Sequence, residues 1–135
     1  MTFDEMVAAY GTKQSKHHND EEHRIQCACV SWFNAQFPAY RGCLFAVPNG
    51  GRRDKVTAAK LKAEGVVAGV ADMILLLPNK HHHALLIEMK TKVGQQSPTQ
   101  KQWAAKVTPH GYQYTICRSL DEFMNTIKDY LHDMD

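Results

Sequence analysis

Two apolar runs of strand length, held apart by a short polar segment, constrain this chain more than any other feature. The first reads Ala71-Asp72-Met73-Ile74-Leu75-Leu76-Leu77 and the second Ala84-Leu85-Leu86-Ile87-Glu88-Met89-Lys90. Pro78-Asn79-Lys80 starts the turn between them, so the pair reads as two strands of a hairpin. The period of two along a strand puts Glu88 and Lys90 on one face and the Met89 side chain on the other. If the strands pair as a hairpin, Asp72 lies beside them. Two carboxylates next to one ammonium make a site for a hard divalent cation. An exposed acid–lysine ion pair at a strand end would be spelled the same way, so both readings stay open.

The elements around this hairpin follow from period and punctuation. Residues 1–18 read as an N-terminal arm, a short amphipathic helix over Phe3–Tyr10 and a polar linker over Gly11–His18, and residues 19–135 as one domain. Asn19 with Glu22 looks like a helix start, and Ile25, Cys29, Val30 and Phe33 form its apolar stripe before Pro38. Glu22 shares one edge of that stripe with Gln26, as a capping carboxylate or as a third acid aimed at the site. Cys43–Val47 is a short strand closed by Pro48-Asn49-Gly50-Gly51. Asn49, Gly50 and Gly51, followed by Arg52 and Arg53, can offer N–H groups and guanidinium to a phosphate. A basic helix carrying Lys62 spans Asp54–Glu64 and stops at Gly65.

Downstream, Ser97-Pro98-Thr99-Gln100 has the form of a capping box with proline at the first helical position. Tyr112–Cys117 alternates like a strand with one wet face, and Ser119–Glu122 opens a last helix with Leu120, Phe123, Met124, Ile127 and Leu131 on its buried side. The order helix, strand, helix, strand, strand, helix, strand, helix predicts an α/β domain, a mixed sheet with helices on both faces.

Composition narrows the function class. A chain of 135 residues with 44% hydrophobic content builds one core. A net charge of +2 gives no global basic field, but Arg52, Arg53, Lys55, Lys60 and Lys62 concentrate charge locally. The four cysteines contain no CxxC pair and read as buried free thiols in a reducing compartment. Without a signal peptide or a membrane-length apolar run, a soluble cytoplasmic protein is expected. His81-His82-His83 is a solvated loop, since consecutive side chains diverge and cannot converge on one ion.

The chemistry that suits Asp72, Glu88 and Lys90 is phosphodiester hydrolysis. Mg²⁺ takes few protein carboxylates and keeps waters for reaction. The Met89 carbonyl is a further candidate ligand, and Lys90 can hold the attacking water and offset charge on the phosphate.

The chain resembles stand-alone VRR-NUC domains of the PD-(D/E)XK nuclease superfamily, common in phages and bacteria. The resemblance rests on Glu22-x-x-Ile25-Gln26, Pro48-Asn49-Gly50-Gly51-x-Arg53, Ala59-x-Leu61-Lys62-x-x-Gly65 and Gly69-Val70-Ala71-Asp72. It continues through Leu86-Ile87-Glu88-Met89-Lys90, Gly94, Ser97-x-x-Gln100-x-x-Trp103, Gly111-Tyr112, Cys117-Arg118-Ser119 and Tyr130-Leu131. Ala71 stands where the superfamily has proline. The resemblance implies a restriction-endonuclease-like fold and Mg²⁺- or Mn²⁺-dependent cleavage of DNA. It implies metal ligation by Asp72 and Glu88, catalysis by Lys90, a supporting acid in Glu22 and a polar site position in Gln100. Asn49–Arg53, Lys62, Ser97 and Gln100 are the candidate DNA contacts. Small members resemble Holliday-junction resolvases, which implies branched DNA as substrate and a homodimer as the working form, in a bacterial or phage-infected cytoplasm.

Overall fold

The two apolar runs pair as expected. The computed structural model describes residues 13–48 and 55–134. Strand β2 (Met73–Leu75) lies antiparallel to β3 (Ala84–Met89), with Met73 opposite Ile87 and Leu75 opposite Leu85. On the outer side of β2, β1 (Leu44–Ala46) adds antiparallel with Leu44 opposite Leu75. Beyond β3, β4 (Tyr112–Cys117) runs parallel, with Met89 opposite Cys117. The sheet is mixed, in the order β1-β2-β3-β4.

Among the described residues four α-helices accompany it: α1 (Lys13–Gln36), α2 (Lys55–Ala63), α3 (Pro98–Val107) and α4 (Leu120–His132). Parallel neighbours cannot be joined by a tight turn, and α3 provides the crossover from β3 to β4. Alternation along the strands then assigns the faces. Met73, Leu75, Leu85, Ile87, Met89 and Cys117 pack with Cys29 and Phe33 of α1 and with Phe123, Ile127 and Tyr130 of α4. Each large side chain removed from water there contributes roughly 1.5–3 kcal/mol. The opposite face carries Tyr114, against which Trp103 of α3 packs edge-on at 6.3 Å. For that reason β4 has no fully wet face. Tyr112 is exposed, but Gln113 through Ile116 are half-buried.

Three local expectations change. Helix α1 begins at Lys13, so residues 13–18 are helical rather than linker, and Asn19 is internal and cannot cap. The segment holds no glycine or proline to stop a helix; the arm expected over residues 1–12 lies outside the described residues. Cys27 is exposed, while Cys29 and Cys117 are buried and Cys43 is intermediate. Residues two apart on a helix project to nearly opposite sides, so Cys27 and Cys29 cannot both face the core. The start at Ser119–Glu122, which has the spelling of a second capping box, is half made as one. The Ser119 hydroxyl accepts the Glu122 N–H at 3.1 Å, while the Glu122 carboxylate accepts the N–H of Arg118, one residue before the cap.

The hairpin loop is tied to α4. Tyr130 donates its hydroxyl to the Leu77 carbonyl at 2.6 Å, and Asn79 Nδ2 donates to the Tyr130 carbonyl at 3.1 Å. Asn79 Oδ1 accepts the N–H groups of His81 and His82, an Asx turn. No helix among the described residues is long and apolar enough to cross a membrane.

Candidate functional site

Asp72 directly precedes β2, and the β2–β3 register carries it to the end of β3. Its Oδ2 accepts the Met89 N–H at 2.7 Å. The approach to Asp72 depends on Gly69, whose φ of +84° lies in the left-handed region. A Cβ there would sit 2.5 Å from the Thr99 carbonyl oxygen. Gly69 therefore lets the lead-in to Asp72 press against the start of α3.

Glu88 is 1% exposed, which disposes of the exposed ion pair. Burial, then the neighbouring Asp72, push its carboxyl from the usual 4.5 up to about 9, against weaker opposing effects of Lys90 and Tyr114. Lys90 Nζ lies 3.8 Å from Glu88 Oε2. Among the described residues the site holds two carboxyls and one ammonium, and is short of positive charge when both acids are ionised. An oxygen-seeking divalent cation between Asp72 and Glu88 supplies what is missing, so the donor set fits Mg²⁺ or Mn²⁺.

The start of α3 serves the same carboxyl. Ser97 Oγ accepts the Gln100 N–H at 3.2 Å, and the Ser97 N–H donates to Gln100 Oε1 at 2.8 Å, closing the expected capping box. Gln100 Nε2 remains to donate to Glu88 Oε2 at 2.9 Å. Capping and site roles for Gln100, left as alternatives by the sequence, coexist in one side chain.

Tyr114 donates to Glu88 Oε1 at 3.3 Å and accepts from Gln96 Nε2 at 3.0 Å. Burial and the Glu88 charge raise the pKa of its hydroxyl, which keeps it a donor. Sequence reading missed Tyr114. The alternation of Tyr112, Tyr114 and Ile116 groups them on one face, but only the parallel register, Leu86 opposite Tyr114, brings that face to Glu88. Arg118 was missed too. Its Nη1 donates to the carbonyls of Thr91 at 2.7 Å, Gly94 at 2.6 Å and Lys92 at 3.4 Å, gathering the loop that follows Lys90.

On the α1 side an open cleft of about 510 Å³ ends at Asp72 and Met89. Glu22, His23, Gln26, Cys27, Val30 and Ser31 form its α1 wall. Glu22 is thus well inside a helix and cannot cap it, and it borders the same space as Asp72. Among the described residues no three His, Cys, Asp or Glu side chains are placed to hold one metal ion, so Glu22 does not converge with Asp72 and Glu88. Lys62 is exposed on α2. Asn49, Gly50, Gly51, Arg52 and Arg53 lie outside the described residues.

A family model described as the VRR-NUC domain matches residues 20–121. A solved structure described as a VRR_NUC domain protein is similar with a TM-score of 0.72 and 25% identity, covering 84% of this chain and 90% of that one. No curated protein matches the chain.

Proposed function

Since the chain belongs to the VRR-NUC domain family, a nuclease-type domain that acts on DNA, we propose that it is a divalent-cation-dependent endodeoxyribonuclease. We assign it a preference for branched, Holliday-junction-like DNA, cut by a homodimer. The burial of Glu88 against Asp72 is the observation that carries the reading, because a carboxyl pair short of positive charge is made for a cation.

Asp72, Glu88 and the Met89 carbonyl would hold Mg²⁺ or Mn²⁺. Such an ion, when bound, polarises a phosphoryl oxygen and eases the making of hydroxide from water. Lys90 lies beside Glu88, partly open to solvent, where it orients the attacking water and offsets charge on the phosphate. Gln100 and Tyr114 hold one oxygen each of Glu88 and fix its orientation. Glu22 adds a supporting negative charge across the cleft. The Asn49–Arg53 turn, Lys62 and Ser97 are assigned to the DNA backbone. Two symmetric strands of a junction need two centres, and one 15.3 kDa domain has one, hence the homodimer.

The test is a labelled four-way junction and a matched linear duplex, each incubated with Mg²⁺, Mn²⁺ or EDTA. Cutting of the junction in either metal, lost in EDTA and in Asp72→Ala and Lys90→Ala, is expected. Cutting that survives both substitutions would remove the site assignment. Equal cutting of duplex and junction would leave a general nicking or end-processing nuclease. Binding without cutting would leave a non-catalytic DNA-binding module. Light scattering during size exclusion reads the dimer, and a monomer at working concentration ends the paired-incision argument.

A further inference from the structure

The α1 wall of the cleft carries a donor pair that the cutting chemistry does not use. His23 and Cys27 lie one helical turn apart, are both exposed, and both border the space that ends at Asp72. Cys27 Sγ is 3.5 Å from His23 Nε2. A tetrahedral Zn²⁺ with Zn–S of about 2.3 Å and Zn–N of about 2.0–2.1 Å needs its sulfur and nitrogen about 3.5 Å apart. The pair is therefore set at chelating distance. Its donors are also of a different class from the oxygen set at Asp72 and Glu88. Thiolate and imidazole favour zinc-like ions, whereas Mg²⁺ and Mn²⁺ favour carboxylate and carbonyl.

We propose that His23 and Cys27 bind a soft divalent cation, Zn²⁺ being the type case, and that the bound ion obstructs the cleft and suppresses cutting. The suppression rests on the nuclease reading above; the binding does not. On binding, the Cys27 thiol releases its proton to solvent and ligates as thiolate. His23 ligates through Nε2 as neutral imidazole with its proton on Nδ1. Because no third His, Cys, Asp or Glu converges with the pair among the described residues, water completes the coordination. A two-residue site of this kind holds its metal reversibly, unlike a four-ligand structural centre. Glu22 and Asp72 border the same cleft, and their charge favours a cation there.

Two readouts test this on the full chain. Co²⁺, a spectroscopic stand-in for zinc, should give a thiolate-to-metal absorption band that Zn²⁺ abolishes and that is lost in Cys27→Ser and weakened in His23→Ala. Zinc is then titrated into Mg²⁺-supported cutting, with each variant scaled to its own zinc-free rate. Losing even an outer-shell partner costs roughly 10–100-fold in metal affinity, so losing a ligand should raise the half-inhibiting zinc concentration by at least about tenfold. A cobalt band unchanged in Cys27→Ser, or identical inhibition curves for the parent and both variants, overturns the proposal; identical curves would mean that zinc acts at Asp72 and Glu88 instead. Should the parent not cut in Mg²⁺ or Mn²⁺, the nuclease reading falls, and the cobalt band alone decides the metal site.

Discussion

Gln100 donates Nε2 to Glu88 Oε2 at 2.9 Å while its Oε1 accepts the Ser97 N–H. One carboxamide thus closes the N-terminus of α3 and fixes a buried carboxyl of β3. Gln100→Ala takes away both, and leaving a buried acceptor without its partner costs roughly 1–3 kcal/mol. Chemical denaturation should show a loss of that size, together with weaker Mg²⁺ binding by calorimetry. A variant as stable as the parent would make the contact incidental. Gln100→Glu keeps a capping residue but sets a third carboxyl against Glu88, so its deficit should be largest without metal and shrink when Mg²⁺ is added.

Asp72→Asn, Glu88→Gln and Lys90→Met separate charge from shape. Electrostatic groups of comparable duty are worth about 2.7–4 kcal/mol of barrier, so each variant should cut DNA about 10²–10³-fold more slowly or not at all. Glu88→Gln should nevertheless be more heat-stable than the parent in EDTA at pH 8, because the parent carboxyl must take up a proton on folding at that pH and glutamine need not. Thermal melts in EDTA alongside a cutting assay read the two effects separately. A Glu88→Gln protein that melts lower than the parent would count against the charge deficit.

The acid–base behaviour of Glu88 sets a pH dependence. Folded, its carboxyl holds a proton up to about pH 9, against an ordinary value of 4.5. Between those values the folded chain binds the extra proton, so its stability falls as pH rises. The contribution is whole below about pH 4.5 and gone once pH passes about 9, with a slope of at most about 1.4 kcal/mol per pH unit. Melting in EDTA should decline from pH 5.5 to pH 8.5 by more in the parent than in Glu88→Gln. Mg²⁺, in releasing that proton, should raise the parent's midpoint more at pH 8.5 than at pH 5.5. A parent and Glu88→Gln that decline in parallel would contradict the raised pKa.

How much of this was legible in the sequence differs by kind of contact. Period two along Ala84–Met89 set Met89 into the core and Glu88 beside Lys90, and the order of elements gave the mixed sheet. These are local patterns, and a hairpin brings its own two ends together. The burial of Glu88 was not legible, because it depends on α3 and on the parallel register of β4, neither of which is written near residue 88. Tyr114 stayed hidden for the same reason. The capping alternative for Glu22 arose because polarity between Gly11 and Asn19 looked like linker, although residues 13–18 hold nothing that stops a helix. Local chemistry survives translation into sequence, whereas contacts across a crossover do not.

Gly69 offers a test from the backbone side. With φ at +84° and the Thr99 carbonyl 2.5 Å from a would-be Cβ, alanine is opposed by both conformation and space. Gly69→Ala should lose more than the roughly 0.4–1 kcal/mol that the same change gains at a compatible position. The shift should also push Asp72 away from α3 and reduce Mg²⁺-induced stabilisation beyond what the lower midpoint explains. Equal stability in the variant would mean that the loop relaxes freely.

Arg118 links the end of β4 to the loop behind Lys90. The Cys117 carbonyl accepts the Lys90 N–H at 3.0 Å, and the next residue along gathers the carbonyls of Thr91, Lys92 and Gly94 on one guanidinium nitrogen. Between them these contacts fix the chain on both sides of the Lys90 Cα and carry it toward Ser97. Arg118→Ala leaves those carbonyls to water and frees residues 91–96. A charged hydrogen-bond donor is worth roughly 1.5–3 kcal/mol, much of which should appear as local opening of the loop whose carbonyls it holds. Hydrogen exchange should rise at Gly94 while β3 stays protected, and limited proteolysis should begin near Lys92. Cutting should slow through kcat more than KM, because the DNA contacts remain while Lys90 loses its fixed position. Arg118→Lys should restore little, since one ammonium cannot reproduce the planar donor set. A variant that cuts at the parental rate with an opened loop would show that β3 alone positions Lys90.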